Sequence, residues 1–417
     1  MTRVVSGRRM AAVDAQFYWM SAKIPSDEFL LYAFAGEPAD LGRAVEQVRG
    51  RAEKCAGLSV RVHDRSALRY PRWVPARVAR EQIVRHEPTE HSWGGCLAAV
   101  AGLADSQLDV RRMPWRLHVF APVLGVPGVD GPGVVAVVQI AHALADGGRG
   151  AAMAAWLFGR DVPVSEVRRL SAGFLPWRAA QAARAHRRQV RDIAAGLLTP
   201  PAGPRPLLAT NARPDGTRSV RTLVRPRAQL RGPTVTVGAL AAVSTALSRL
   251  LGPGSETLGA EVPMAKPGAP HANNHFGNVV VGLYPQLELD ARLDRIAADL
   301  ANGRRRFEHP ATRAADRAFA AVPAPLLRWG INQFDLDQRP TQVAGNTVVS
   351  SVYRGAADLH FGGAPVALTA GYPALSPMMG LTHGVHGIGD TIAISVHAAA
   401  SAVPDIDAYV ALLDAAL

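Results

Sequence analysis

The sequence predicts an α/β protein made of two mixed-sheet, layered domains joined by a basic linker. Three observations carry that expectation. The chain has 417 residues, enough for two cores of about 200 residues each. Strand-length apolar runs alternate with amphipathic helical stretches, and they do so twice. Between the two series, residues 165–215 turn basic and then rich in proline (Pro200, Pro201, Pro204 and Pro206). The expected division is a first half at 1–165, a basic helical linker at 166–215 and a second half at 216–417.

In the first half, residues 28–34 read as a strand and 40–56 as an amphipathic helix. Residues 116–122 and 134–140 read as further strands. The latter, Val-Val-Ala-Val-Val-Gln-Ile, is β-branched and nearly continuous, as in a strand buried on both faces. A helix follows at 150–158. In the linker, 177–198 reads as a helix with Val190, Ile193 and Leu197 at helical spacing and Arg184, Arg187, Arg188 and Arg191 on the other side. A crossover helix with a solvated basic face is expected there, and contact with a membrane surface is the sharper alternative. The second half gives helices at 237–251, 289–307 and 404–417, and strands at 257–263, 278–284, 347–353 and 391–396.

Hydrophobic residues make up 48% of the chain, ample for globular cores and too little for a multi-span membrane protein. No apolar run approaches the roughly 20 residues of a spanning helix. Residues 1–9 show no apolar stretch behind their arginines, so no signal peptide is expected. Cys55 and Cys96 are too few for a disulfide framework or a thiolate metal site. A cytoplasmic protein is expected, with peripheral contact at a membrane or lipid droplet as an option. The net charge is +12, yet only three of the 46 basic residues are lysine, a sign of coding bias as much as of function. No basic stripe alternates with aromatics, which argues against a nucleic-acid partner. Anionic small molecules or an acidic carrier protein fit the charge.

The chemistry centres on His142. The buried strand runs straight into it, and Asp146, Gly147 and Gly148 then open the next helix. A histidine at that point is fixed by the sheet and lies near free backbone amides, which suits a general base. Gly147 and Gly148 permit tight backbone geometry and close substrate approach. Asp146 reads as structural, holding the turn rather than touching substrate. A histidine capping a buried strand is also often a satisfied polar residue, and this segment alone leaves both readings open.

The order of several further segments resembles the wax ester synthase/diacylglycerol acyltransferase family, within the coenzyme A-dependent acyltransferase and condensation-domain group. Its His-His-x-x-x-Asp-Gly mark is matched by His142, Asp146 and Gly147 as an HxxxDG motif. Asp14 to Phe17 is similar to the family's N-terminal Asp-Ala-x-Phe element, and Met113 to His118 to its Pro-Leu-Trp element. Phe276-Gly277-Asn278 is similar to its Gly-Asn segment, and residues 387–396 with Val403-Pro404-Asp405 to its C-terminal strand and turn. Three departures stand out: Ala141 replaces the first histidine, Ser21 replaces an expected glutamate, and residues 351–355 replace Asn-Val-Pro-Gly-Pro. The resemblance implies two coenzyme A-dependent acyltransferase-like domains with an interdomain tunnel. It implies an O-acyltransferase in which His142 is general base on an acceptor hydroxyl. The hydroxyl attacks the thioester directly, with no acyl-enzyme, no metal and no bound cofactor. The donor would be acyl-CoA or an acyl carrier protein. The acceptor would be a fatty alcohol, a diacylglycerol-like lipid or a specialised-metabolite hydroxyl.

Gly148, Asn278 and Ser351 are candidate site-lining residues. Asn278 reads more readily as holding backbone in the second-half turn. His271 and His275 have a zinc-like spacing, but a preceding proline and the lack of a nearby carboxylate favour a loop. Arg304, Arg305 and Arg306 read as cations at a helix end, with a phosphate clamp as the alternative. His383 and His386 read as a loop, and Trp115 as core. Two other functions remain: a carrier-protein-dependent condensation or tailoring enzyme that forms an ester or amide, and a non-catalytic binder of acyl chains or metabolites.

Overall fold

The computed structural model describes residues 7–87, 90–168, 170–171, 173–254 and 256–417. The leader-peptide expectation falls largely on residues 1–6, outside the described residues. Two six-stranded mixed sheets organise the molecule, one in each half.

The first sheet runs in the order His360–Phe361, Ala364–Gly371, Glu28–Ala35, Gly133–Ile140, Trp115–Val123, Ile83–His86. All eight residues of Gly133–Ile140 are buried, as its unbroken apolar run requires of a central strand. One face packs Tyr32, Phe34, Val134 and Val138 against the helices Leu41–Lys54 and Gly147–Leu157. The other packs Leu31, Ala33, Val135 and Val137 against Cys96, Leu97 and Val100 of the helix Trp93–Leu103.

The second sheet runs Phe276–Gly282, Gly259–Ala265, Thr347–Tyr353, Leu381–Ile388, Thr391–Ala399, Arg218–Pro226. The helices Val235–Leu251, Leu289–Glu308 and Ile406–Asp414 cover one face, over Val262, Val281, Val349 and Val396. Side chains alternate along a strand, so Phe276, Asn278, Glu261, Val352 and His386 share the opposite face.

Strand Ala364–Gly371 belongs to the second half of the chain but pairs antiparallel with Glu28–Ala35 of the first. The chain then returns to the second sheet at Leu381. Where the two sheets meet, a Cβ on Gly384 would lie 2.1 Å from the carbonyl oxygen of Gly371, so only glycine allows that approach. Residues 391–396, expected as a strand, lie in the strand Thr391–Ala399, and the family-like segment 387–396 also takes in the turn at Gly389 and Asp390 after the antiparallel strand Leu381–Ile388. His383 and His386 are buried strand residues rather than loop. His383 bonds Thr347 Oγ1 at 2.8 Å and Tyr409 Oη at 2.7 Å. Trp115 is fully buried and its indole donates to Leu58 O, as a core residue should.

The linker helix is Leu175–Ala194, and none of its residues is buried. It lies against the helix Pro310–Ala320, with Asp192 meeting His309 at 3.1 Å. The half-buried residues include Arg178, Ala182, Ala185, Gln189 and Ile193, whereas Val190 and Leu197 of the expected apolar stripe are 50% and 77% exposed. Alanines pack closely on a neighbouring helix, and that face prevailed over the more hydrophobic one.

Candidate active site

His142 follows the central strand Gly133–Ile140 by two residues, in a turn that ends at the helix Gly147–Leu157. Asp146 is the N-cap of that helix. Its Oδ1 accepts from Arg149 N at 2.9 Å, satisfying one of the free amides of the first turn. Its Oδ2 accepts from His275 N at 2.8 Å. One carboxylate thus caps a first-half helix and holds a second-half loop.

That loop, residues 271–275, is fastened at four more points. Asp14 is fully buried and accepts from Asn273 N and Asn274 N, each at 3.0 Å, and from Asn274 Nδ2 at 3.1 Å. Asn273 Nδ2 donates to Ala143 O at 3.2 Å, and Asn274 Nδ2 to His142 O at 2.8 Å. Arg8 donates to Asn273 Oδ1 at 2.9 Å. Burial pushes the Asp14 carboxyl up to about 6, against the pull of the Asn273 and Asn274 hydrogen bonds and the Arg8 charge. His271 and His275, weighed above as a zinc pair, lie in this loop, where His275 serves through its backbone amide.

The His142 ring packs against Phe17, with centroids 4.1 Å apart, and Phe276, 5.7 Å away and nearly parallel at 9°; the two phenyl rings are themselves 6.0 Å apart, so the three form one cluster. Phe17 comes from the helix Ala12–Met20 of the first half and Phe276 from the edge strand of the second. Nδ1 stands 3.3 Å from Ala145 O and 3.7 Å from Glu28 Oε1, and the side chain keeps 18% of its surface exposed. With Nδ1–H donating to Ala145 O, Nε2 carries the free lone pair. Burial lowers the imidazole pKa. The carbonyls of His142 and Ala145, the Asp146 charge and Asn274 oppose that shift. The ring is therefore neutral at neutral pH, the form a base needs.

Glu28 was not singled out from the sequence. It opens its strand directly opposite Ile140, which brings the carboxyl beside the imidazole. Burial pushes it up to about 8, with the Asp146 charge adding, Arg354 opposing and Asp27 adding. Arg354 itself is buried over the Tyr32 ring, donating to Leu31 O at 3.3 Å and to Thr369 Oγ1. It occupies the segment where the sequence departs from Asn-Val-Pro-Gly-Pro, and sequence reading gave it no part.

The remaining candidates separate. Gly147 lies against the second half: a Cβ there would stand 3.3 Å from Val352 Cγ2. Gly148 is exposed. Asn278 is exposed and donates to Glu261 Oε2 at 2.9 Å, on the same strand face as Phe276. Ser351 points the other way, to Thr236 Oγ1 at 2.8 Å on the helix-covered face, while Val352 takes the face toward His142. Arg306 of the arginine run reaches the carbonyls of Thr199 and Pro200 after the linker helix.

Residues 272–417 match the family model WS/DGAT C-terminal domain. Among curated proteins none matches the chain in sequence. The wax ester synthase/diacylglycerol acyltransferase from Marinobacter aquaeolei VT8 shares the fold at a TM-score of 0.64 and 17% identity, covering 98% of this chain and 97% of its own. The starter condensation domain of rhizomide synthetase, solved in complex with C8-CoA, matches at a TM-score of 0.59 and 15% identity, over 98% of this chain and 93% of its own. The first condensation domain of the calcium-dependent antibiotic synthetase, in complex with a substrate analogue, matches at 0.60 and 16%, over 99% and 96%. The family resemblance and the fold of two acyltransferase-like mixed-sheet units are thereby borne out.

Proposed function

We propose, from that family resemblance and shared fold, that the chain is an acyltransferase moving an acyl group from a thioester to an acceptor hydroxyl. The observation that carries the reading is the posture of His142. Its Nδ1 is engaged by Ala145 O, its ring packs against both Phe17 and Phe276, and no described residue donates to Nε2. Nε2 takes the proton of the acceptor hydroxyl as that oxygen attacks the thioester carbonyl carbon. The tetrahedral adduct collapses, the C–S bond breaks, and the departing sulfur receives the proton from Nε2. Ester and free thiol are the products. Cys55 and Cys96 are buried, and burial pushes the Cys96 thiol up to about 12, so neither suits an acyl-enzyme route.

Asp146, with Gly147, supports the site by holding the turn. The donor is acyl-CoA, in keeping with C8-CoA bound to the rhizomide condensation domain. Donor and acceptor meet at His142 in a tunnel between the halves. The acceptor is a fatty alcohol, a diacylglycerol-like lipid or a specialised-metabolite hydroxyl. The likeness to condensation domains favours one second reading, in which the acyl group arrives on a carrier protein and the product is an ester or amide. No helix among the described residues is long and apolar enough to cross a membrane. The linker helix, with Trp177 55% exposed beside its arginines, is the element that would meet a lipid surface.

The test is thiol release from acyl-CoA in the presence of a panel of alcohols. Turnover that survives undiminished in His142→Ala rejects the base assignment. Turnover with acyl-carrier protein and none with acyl-CoA selects the second reading, and tight ligand binding without turnover on any donor selects a non-catalytic binder.

A further inference from the structure

The helix Ala12–Met20 links His142 to a second feature of the molecule. Phe17 stacks on His142, while Trp19 of the same helix stacks on Tyr70, with centroids 5.8 Å apart. Tyr70 lies in the wall of a cavity of about 480 Å³ lined also by Arg9, His63, Arg65, Arg69 and Arg72, and closed on one side by 323–325 of the second half. The volume is that of a small-molecule site. The Tyr70 hydroxyl donates to Val322 O at 2.8 Å, so the cavity lies at a junction of the two halves. One helix, about 10–12 Å across with its side chains, separates it from the imidazole.

Its charge is one-sided. Among the described residues, no carboxylate stands within ion-pair distance of Arg9, Arg65, Arg69 or Arg72. Arg9 lies over the Tyr70 ring at 4.3 Å, and Arg72 donates to Gly7 O. Arg65 and Arg69 are exposed. Asp64, the single carboxylate in the wall, has its side chain only 5% exposed and faces Arg328 at 4.0 Å. A concave site lined by one sign of charge concentrates ligands of the other. Guanidinium forks match phosphate oxygens in a way that single ammonium charges do not.

We propose that this cavity binds the phosphorylated end of the pantetheine thioester donor, with Arg65 and Arg69 contacting its phosphates. The inference rests on the acyl-transfer reading and adds to it a place for the donor's distal end. In such a donor the acyl carbon and the phosphates lie at opposite ends of an extended arm, so the phosphate site must be separated from the base. The same phosphorylated pantetheine is offered by coenzyme A and by the arm of a carrier protein.

Titration calorimetry with coenzyme A, adenosine 3′,5′-bisphosphate and inorganic phosphate is compared for the wild type and the double variant Arg65→Glu, Arg69→Glu. Both side chains are exposed, and a thermal melt checks the fold. Bisphosphate and coenzyme A binding are expected to weaken at least ten-fold. The KM for acyl-CoA should rise at least as much, whereas the KM for the same acyl group on N-acetylcysteamine, which carries no phosphate, should not follow it. If only a phosphopantetheinylated carrier loses affinity, the carrier is the source and the shared chemistry stands. Equal affinity of wild type and variant for coenzyme A and carrier overturns the proposal. Bisphosphate binding that the variant loses, with no turnover on any donor, would leave the cavity standing and defeat the acyl-transfer reading. Turnover with a KM indifferent to both arginines would do the reverse.

Discussion

The turn 141–146 and the helix Leu175–Ala194 are both short local patterns in the sequence, and the molecule holds them in opposite ways. The turn is bound to the second half through polar groups: buried Asp14, Asn273 and Asn274 hydrogen-bond one another and the backbone of His142 and Ala143, and half-buried Asp146 accepts from His275 N. The helix has no buried residue and packs on its neighbour along one half-buried face, with one Asp192–His309 contact. Buried polar groups are costly to leave unpaired, so each bond in the turn constrains the position of the others. A solvated helix face imposes no such condition. His142 is thus carried by a turn tied through several buried polar groups, whereas the linker helix packs on one neighbour and leaves its other face to solvent.

The largest break in that contrast is expected at the ring itself. His142→Ala should lower kcat/KM for thiol release by about 10²–10⁴-fold, the range for losing a general base. The urea midpoint should hardly move, because the ring makes only one hydrogen bond to the turn. A large fall in the midpoint would place the histidine in the scaffold instead. Asp14→Ala should show the converse. It strips the acceptor from three buried donors and should cost about 2–5 kcal/mol in urea unfolding. Activity should fall too, since Asn274 would no longer be held under His142 O. Asp14→Asn, which retains one acceptor oxygen, should lose less on both measures.

Much of the turn was legible in advance, and the reason is local. A β-branched run, a histidine, an aspartate at the N-cap position and two glycines specify strand, turn and helix within fifteen residues. Asp14 was legible as part of a family-like element, but its partners were not, because Asn273 is 259 residues away in the chain. The residues 271–275 drew attention for their histidines, whereas their asparagines and backbone amides do the joining. Glu28 was hidden in the same way: it read as the polar start of a strand, and only the pairing of that strand with Gly133–Ile140 brings it to His142. The exchange of Ala364–Gly371 into the first sheet was equally out of reach, since strand pairing across halves leaves no periodic mark. In the linker the apolar spacing was real, but hydrophobicity did not reveal that the alanine face would be the one to pack.

Titration sharpens the comparison further. The carboxyls of Asp14 and Glu28 are raised to about 6 and about 8, from 3.8 and 4.5. A raised folded-state pKa means that the native protein holds a proton the unfolded chain has released, so stability falls as pH rises across that interval. Burial lowers the pKa of His118, His142 and His397, and for these groups stability falls as pH drops below about 6.5. Between pH 6.5 and 8, Glu28 is the group among these that still titrates in the native state. Stability measured by urea unfolding should decline across that window, and Glu28→Gln should flatten the decline. An unchanged slope in the variant would mean that the Glu28 carboxyl is already ionised beside the imidazole.

The smallest effect is expected on the linker helix. Arg187 is exposed and makes no ion pair with a described residue, and Trp177 is 55% exposed. Arg187→Ser and Trp177→Ala should each change unfolding free energy by no more than about 0.5 kcal/mol, as surface substitutions do, and leave acylation of a dissolved acceptor unaltered. A loss well above 1 kcal/mol would show that the helix depends on more than its alanine face, and the contrast with the turn would narrow. If both variants stay neutral in solution but reduce binding to anionic lipid vesicles, the weak attachment gains a purpose. A helix that packs along one face keeps its exposed arginines and its tryptophan available to a surface, whereas the turn carrying His142 is committed to its hydrogen bonds with the loop 271–275.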